Sequence, residues 1–316
     1  MQQKILTVAV NPAVDLSTRV ERVLANRKLR CAGAHVEPGG GGINVSRVIR
    51  GFGGKSTAFV ALGGPTGHAL RELMGEEGLD VVEFPIAEQT RQNVTVDETA
   101  SDRQYRLVLQ GPRWSGKEVK AALARIERLA KDHDYVVATG SLPPGVPLDF
   151  YARIARIVRK QGGRMILDTS GPPLQAALEA GVYLVKPNHI EFRDLAGAHK
   201  TDWKTMARVG HRLQEHGKAE IMIVTRGDLG ALAILPDSAW RLQSPKGKVV
   251  SLVGAGDSLI GAFVLALARG KPLLEACRLG VAAASAAVEA PGSELASRKD
   301  TLRIARKTKV WEVNER

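Results

Sequence analysis

The sequence predicts an α/β protein: a mostly parallel sheet covered by helices on both faces, with a small separate β layer. Three observations carry that reading. Short β-branched runs alternate with longer amphipathic segments, the rhythm of repeated strand-helix-strand units. Glycines at 53–54, 78, 162–163 and 181 stop successive helical segments. In two places the rhythm gives way to extended pieces joined by a polar turn, with no helix between them.

In chain order, residues 5–10 form the first strand, and four glycines at 39–42 precede a helix over 43–52. Strand 58–62 leads to a helix over 67–77. Residues 92–98 and 104–109 then read as a hairpin, and segment 14–37 looks similar, two short extended pieces around a polar middle. These excursions, segments 14–37 and 90–110, pair into a lid over a site or dock on another subunit. A helix over 116–132 precedes strand 135–138, helix 148–161, strand 164–168 and helix 173–180. Strand 182–186 runs into Pro187-Asn188, which opens another helix; helix 203–216 and strand 221–225 follow. Strands at 230–235, 239–243 and 248–252 reach a second glycine loop, and helices near 257–269, 273–289 and 297–307 close the chain. With no internal repeat and no low-complexity linker, residues 1–316 read as a single domain carrying a lid.

Composition narrows the function class. A chain of 316 residues with 44% hydrophobic and 25% charged residues builds a full core. No run approaches the roughly 20 apolar residues of a membrane span, and 5–10 is too short for a signal-peptide core. Cys31 and Cys277 show no metal-ligand spacing and read as reduced thiols of a cytoplasmic protein. The net charge of +12 raises nucleic acid as a partner. The one dense basic cluster is Arg298, Lys299, Arg303, Arg306, Lys307 and Lys309, however, and with 4% aromatic residues base stacking is disfavoured. Anionic small substrates account for part of the charge.

The chemistry is expected at Val253-Gly254-Ala255-Gly256-Asp257-Ser258, a loop turning into a helix. Its amides are the unpaired donors of a helix N-terminus, suited to a phosphate. Asp257 beside such a site is a proton acceptor or metal ligand, or alternatively a plain N-cap. Other strand ends add Asn11 and Asp15, Gly140 and Ser141, Lys186 and Asn188, and Thr225 and Gly227, a set suited to one long polar ligand along the sheet edge. The run Glu37-Pro38-Gly39-Gly40-Gly41-Gly42-Ile43-Asn44 permits close backbone approach and places Asn44 to bond a sugar hydroxyl. It is neither a Walker A loop nor a dinucleotide fingerprint in its required place.

In this order and spacing, Gly39 to Asn44 and Gly254 to Asp257 resemble the two signatures of the ribokinase-type (PfkB) carbohydrate kinases, over nearly the whole chain. Within the family the likeness is greatest to the minor bacterial 6-phosphofructokinase branch, through Lys28-Leu29-Arg30-Cys31, Thr90-Arg91-Gln92-Asn93, Gln104-Tyr105-Arg106, Gly140 to Val146 and Leu184 to Asn188. The resemblance implies a ribokinase-like three-layer α/β/α core with a small β-sheet lid, and transfer of the ATP γ-phosphate to the C1 hydroxyl of fructose 6-phosphate. It implies Asp257 as general base, with an unperturbed carboxylate value near 4 sufficient for ionisation, and Gly254, Ala255 and Gly256 as the anion hole. Asp15, Gly39, Gly40 and Asn44 fall at sugar-contacting positions, and Lys28, Arg91 and Ser141 near the sugar phosphate. Lys186, Asn188, Thr225, Gly227, Gly254 and Gly256 fall at nucleotide positions. Asn188 and Glu191 match an Asn-x-x-Glu motif that organises Mg²⁺ through water. Ser251 and Val253, with the segment 287–292, imply a site for a monovalent cation, K⁺. A homodimer through the lid is also implied.

Departures sharpen the reading. Ser251 stands where most members carry Asp, though the phosphofructokinase branch has Ser. Glu294 stands where that branch carries a basic residue. Gly41 replaces the Lys of tagatose-6-phosphate kinases and 1-phosphofructokinases, the competing activities. The distant alternative is a non-catalytic phosphosugar- or nucleic-acid-binding protein on the same fold.

Overall fold

The computed structural model describes residues 2–101, 103–197, 202–290 and 294–314. In chain order the elements begin with β1 (Ile5–Ala9), β2 (Ala13–Val20), β3 (Ala32–Gly39), α1 (Gly41–Gly51), β4 (Thr57–Leu62), α2 (Gly64–Glu76) and β5 (Asp80–Pro85). β6 (Arg91–Glu98), β7 (Arg103–Val108), α3 (Gly116–Ala130), β8 (Tyr135–Thr139), α4 (Phe150–Lys160), β9 (Arg164–Asp168), α5 (Gly171–Ala180) and β10 (Val182–Val185) follow. The last third holds α6 (His189–Ala196), α7 (Trp203–Glu215), β11 (Ala219–Thr225), β12 (Ala231–Leu235), β13 (Ser238–Gln243), α8 (Ala255–Ala268), α9 (Leu273–Glu289), α10 (Arg298–Ala305) and β14 (Lys309–Glu312).

Ten strands form one sheet in the order β14-β13-β12-β11-β10-β9-β8-β1-β4-β5. From β11 to β5 every pairing is parallel; β12, β13 and β14 append antiparallel at one edge. Central strands are apolar on both faces because both are covered. Val136 and Ala138 of β8 enter the core under α3, α4 and α5, while Tyr135 and Val137 enter the core under α1, α8 and α9. The second, smaller sheet has the order β3-β2-β6-β7, with β2 and β6 parallel. The α/β class, the mostly parallel sheet, the helices on both faces and the smaller separate sheet all agree with expectation.

Three expectations fail. Residues 248–252 form no strand: Val249 is 63% and Leu252 72% exposed, and the segment is irregular chain whose Val250 and Ser251 amides donate to Val288 O. The edge it would have joined is taken by β14, which pairs with β13 through Arg241 and Trp311. Hence the chain closes on a strand, where three helices were expected to end it. β5 was also missed; its DVVEFP sequence leaves only Phe84 buried. An edge strand with one covered face carries a weak apolar signal.

Candidate functional site

The carboxyl ends of β8, β9 and β10, at Thr139, Asp168 and Lys186, lie against the four-glycine run and the start of α8. Gly254 is the N-cap of that helix at φ 70, a left-handed conformation that favours glycine, so the chain turns into the helix there. Asp257 is therefore the third helical residue, and it makes no capping bond, which removes the N-cap alternative. Its Oδ2 instead accepts a hydrogen bond from Asn44 Nδ2 at 2.9 Å, across 213 residues of sequence. Burial pushes the Asp257 carboxyl up to about 7; the Asn44 bond and Lys186 oppose the rise, while the charges of Asp168 and Asp15 add to it. Ionisation at neutral pH needs no raised value, and the fold raises it nonetheless. Desolvation in the assembled site is the cause, and no local sequence feature announces it.

Asp168, at the end of β9, was not singled out from the sequence. Its Oδ1 lies 3.2 Å from Lys186 Nζ, and both side chains are mostly buried. A Cβ on Gly256 would stand 3.3 Å from Asp168 Oδ2 and 3.4 Å from Lys186 Nζ, so the pair lies directly against the glycine loop. Burial raises Asp168, and Lys186 counters it; burial lowers Lys186, but Asp168, with Glu191 and Asp257, more than offsets this and the ammonium stays charged. A carboxylate ending a strand whose neighbours end in functional residues was a signal available in the sequence.

The four-glycine run packs close to its neighbours. Gly40 is the N-cap of α1 at φ 109. A Cβ on Gly39 would overlap the Asp15 carboxylate, and one on Gly41 would overlap Thr139 Oγ1 and come to 3.1 Å from Asp257 Oδ1. Asp15 accepts from Asn93 Nδ2 at 2.8 Å; burial raises its carboxyl, while Asn93, Arg91 and Arg106 work the other way. Gly39→Ala is therefore expected to displace Asp15 and to weaken binding of a polar ligand at this place at least about tenfold while Tm stays within a few degrees. An unchanged affinity would show that Asp15 has no part in binding.

Asn11 Nδ2 donates to Ser141 Oγ at 3.1 Å, which brings the first and middle strand ends together. Arg91 donates from Nη1 to Leu109 O and from Nη2 to Asn11 O, both at 3.0 Å. Its guanidinium therefore braces two main-chain segments. Lys28 is exposed in the 21–31 connection, with no hydrogen bond or ion pair among the described residues. Several polar atoms here are buried without a hydrogen-bond partner: Asn11 Oδ1, Asn93 Oδ1, Arg91 Nε and Thr139 Oγ1. Such a concentration of unmet hydrogen-bonding capacity marks a polar ligand site.

Asn188 is the N-cap of α6. It accepts from the amides of Ile190 and Glu191, while Glu191 accepts from the Asn188 amide at 2.8 Å, a reciprocal capping box. Thr225 bridges to Asn188, and Gly227 turns at φ 57, so these nucleotide candidates share one corner. No group of three or more His, Cys, Asp or Glu that would hold a metal exists among the described residues. Magnesium fits such a donor set only with its water shell and nucleotide phosphates as the main ligands, the habit of that ion. Ser251 is buried and its Oγ accepts from the Val253 amide at 3.2 Å. Of the segment 287–292 expected to complete a cation site, residues 291 and 292 lie outside the described residues.

Comparison with known proteins adds the following. The model of the pfkB family carbohydrate kinases matches residues 6–300. The chain is 39% identical to the ATP-dependent 6-phosphofructokinase isozyme 2 of Mycobacterium tuberculosis, over 95% of this chain and 88% of that one. It is 36% identical to the 1-phosphofructokinase of Bacillus subtilis, over 89% and 91%. Phosphofructokinase-2 from Escherichia coli in complex with fructose-6-phosphate superposes with a TM-score of 0.90 at 36% identity, covering 96% of this chain and 98% of the other. The same enzyme in complex with potassium gives 0.91 at 37%, with the same coverage. No helix among the described residues is long and apolar enough to cross a membrane.

Proposed function

The chain belongs to the PfkB family of carbohydrate kinases, and from that premise we propose that it is an ATP-dependent 6-phosphofructokinase acting in the cytoplasm, transferring the γ-phosphate of ATP to the C1 hydroxyl of fructose 6-phosphate. The observation that carries the mechanism is Asp257: an enclosed carboxylate held by Asn44 on the first turn of α8, with its value raised to about 7. A base poised near neutral pH takes the hydroxyl proton as the oxygen attacks phosphorus. The amides of Gly254, Ala255 and Gly256 then face the charge that spreads over the transferring group, with the Lys186 ammonium beside them.

Asp15, Gly39, Gly40 and Asn44 hold the sugar in this reading, and Lys28, Arg91 and Ser141 its phosphate. The partnerless atoms of Asn11, Asn93 and Arg91 support a polar ligand at that place. Lys186, Asn188, Thr225 and Gly227 hold the nucleotide. Asn188 and Glu191 would orient the water shell of a magnesium ion, which when bound neutralises phosphate charge. A potassium ion by Ser251 and Val253 belongs to the same proposal, supported by the potassium complex of the E. coli enzyme.

The small sheet serves as a lid on one domain and as the dimer contact. Its register supports this: Leu16, Val36, Val94 and Leu107 form one apolar rung across all four strands, and Val36 and Leu107 are 47% and 55% exposed. An exposed apolar sheet face of this kind is one that a second copy covers. Gel filtration is expected to give a dimer.

The test is ADP release with Mg-ATP and fructose 6-phosphate, tagatose 6-phosphate or fructose 1-phosphate in parallel. The highest kcat/KM is expected with fructose 6-phosphate. Gly41 supports it over the other two, whose enzymes are expected to carry Lys at this position. A tenfold preference for fructose 1-phosphate would transfer the assignment to 1-phosphofructokinase.

A further inference from the structure

The parallel strands have two edges, and the candidate site occupies only the carboxyl one. At the other, the amino ends of β1, β4 and β5 open on a cavity of about 610 Å³ whose lining includes Lys4, Arg50, Lys55, Ser46, Ser56 and Asp80. A volume of that size suits a small molecule. Specific bonds tie its walls together. Gln2 Nε2 donates to Lys55 O at 2.6 Å and Gln2 Oε1 accepts from the Lys55 amide at 3.3 Å, which clamps the N-terminal segment to the turn after α1. Ser56 Oγ donates to Ser46 Oγ at 3.0 Å, and Ser46 Oγ lies 2.8 Å from Thr7 Oγ1, a run of hydroxyls leading into the sheet.

Charge distinguishes this cavity. The side chains of Lys4, Arg50 and Lys55 make no hydrogen bond or ion pair among the described residues. Asp80 is the one carboxylate in the lining, and its Oδ2 accepts from Thr57 Oγ1 at 2.8 Å. A Cβ on Gly78, at φ 59, would stand 2.6 Å from Arg50 Nη2. The guanidinium thus reaches from the last turn of α1 to the turn after α2 and rests on a residue without a side chain. The C-terminal ends of α1 and α2 carry about half a negative charge each. Together with Asp80 they leave three full cations only partly balanced, a condition that draws in an anion.

We propose that this cavity is a second ligand site, for a small molecule presenting a phosphate group. A guanidinium donates to phosphate oxygens in bidentate fashion, two ammonium groups add charge without fixed geometry, and the serine hydroxyls supply further contacts. The site is separate from the one that holds Asp257. Asn44 lies near the start of α1 and Arg50 in its last turn, so the two sites sit at opposite ends of one helix.

The experiment is a calorimetric titration with inorganic phosphate, glycerol 3-phosphate or AMP, with fructose 6-phosphate and a non-hydrolysable ATP analogue saturating the candidate site. One further equivalent per chain is expected to bind. Arg50→Gln combined with Lys55→Gln is expected to lose about 100-fold in affinity, and Arg50→Lys alone to lose less than Arg50→Gln alone. Similar affinity for all three probes assigns the phosphate group itself as the ligand. Binding of glycerol 3-phosphate or AMP at least about tenfold tighter assigns an ester and the body it carries. Both positions are exposed, so the melting temperature should stay within about a degree. No binding of any probe at about 10 mM, or binding by the paired variant within twofold of wild type, would overturn the proposal. Arg50 and Lys55 lie at the edge away from Asp257, so loss of binding in their variants supports this site even where hexose phosphates prove inert as substrates.

Discussion

Asp257→Asn is expected to lower kcat by about 10⁴-fold, the upper range for removing a general base, with KM for both substrates changed far less. The wild-type pH profile should carry the same signature. As the proposed base, Asp257 works ionised and its value is about 7, so kcat/KM should rise about tenfold per pH unit below 7 and level off above it. The sign for stability is opposite. A carboxyl whose folded value is raised stabilises the folded state in its protonated form, and that contribution is lost as pH rises from about 4 through about 7. Asn carries no such cost, which is about 4 kcal/mol for a carboxyl raised from about 4 to about 7, so the variant should melt about 6 °C or more above wild type at pH 8 and show no advantage near pH 4. An Asn variant with undiminished kcat would remove Asp257 from the chemistry. A wild-type acid limb near pH 4 would show that the carboxylate is not desolvated in solution.

Lys186→Met should produce the largest loss of stability. Lys186 is 7% exposed and its Nζ lies 3.2 Å from Asp168 Oδ1. Removing one partner strands a buried carboxylate, at about 3–5 kcal/mol, which at this chain length lowers Tm by about 6 °C or more. Removing both charges with Asp168→Asn in the same chain should recover much of that loss, because no uncompensated charge is then buried. ATP binding should weaken at least about tenfold in either case, since the ammonium beside Gly256 is gone. Lys186 also holds the Asp257 value down, so the acid limb of Lys186→Met should move to higher pH. A single variant melting within a degree of wild type would mean that the pair adds nothing to the core. A limb that does not move would disconnect Lys186 from the base.

Much of this was legible in the sequence, for local reasons. Gly254 at φ 70 and Gly40 at φ 109 are positions where a turn demands glycine, and such demands are written one residue at a time. The apolar runs of β8 and β11 read as buried parallel strands because a strand covered on both faces has no choice but to be apolar throughout. The glycine loop before Asp257 and the four-glycine run before Asn44 could likewise be read as two halves of a site.

What only the tertiary structure decided depends on distant neighbours. Asn44 finds Asp257 across 213 residues, and the raised Asp257 value exists only once water is excluded from around it. Asp168 looks like any strand-end carboxylate until Lys186 and Gly256 close over it. Arg91 is one lid cation among several in the sequence; only the fold commits two of its nitrogens to main-chain carbonyls. Residues 248–252 have the composition of a strand, yet β14 holds the edge they would need. Backbone conformation and hydrophobic pattern are local properties, and the sequence determined them. Desolvation, charge pairing and competition for a sheet edge are sums over contacts between remote segments, so they were settled only when the chain folded.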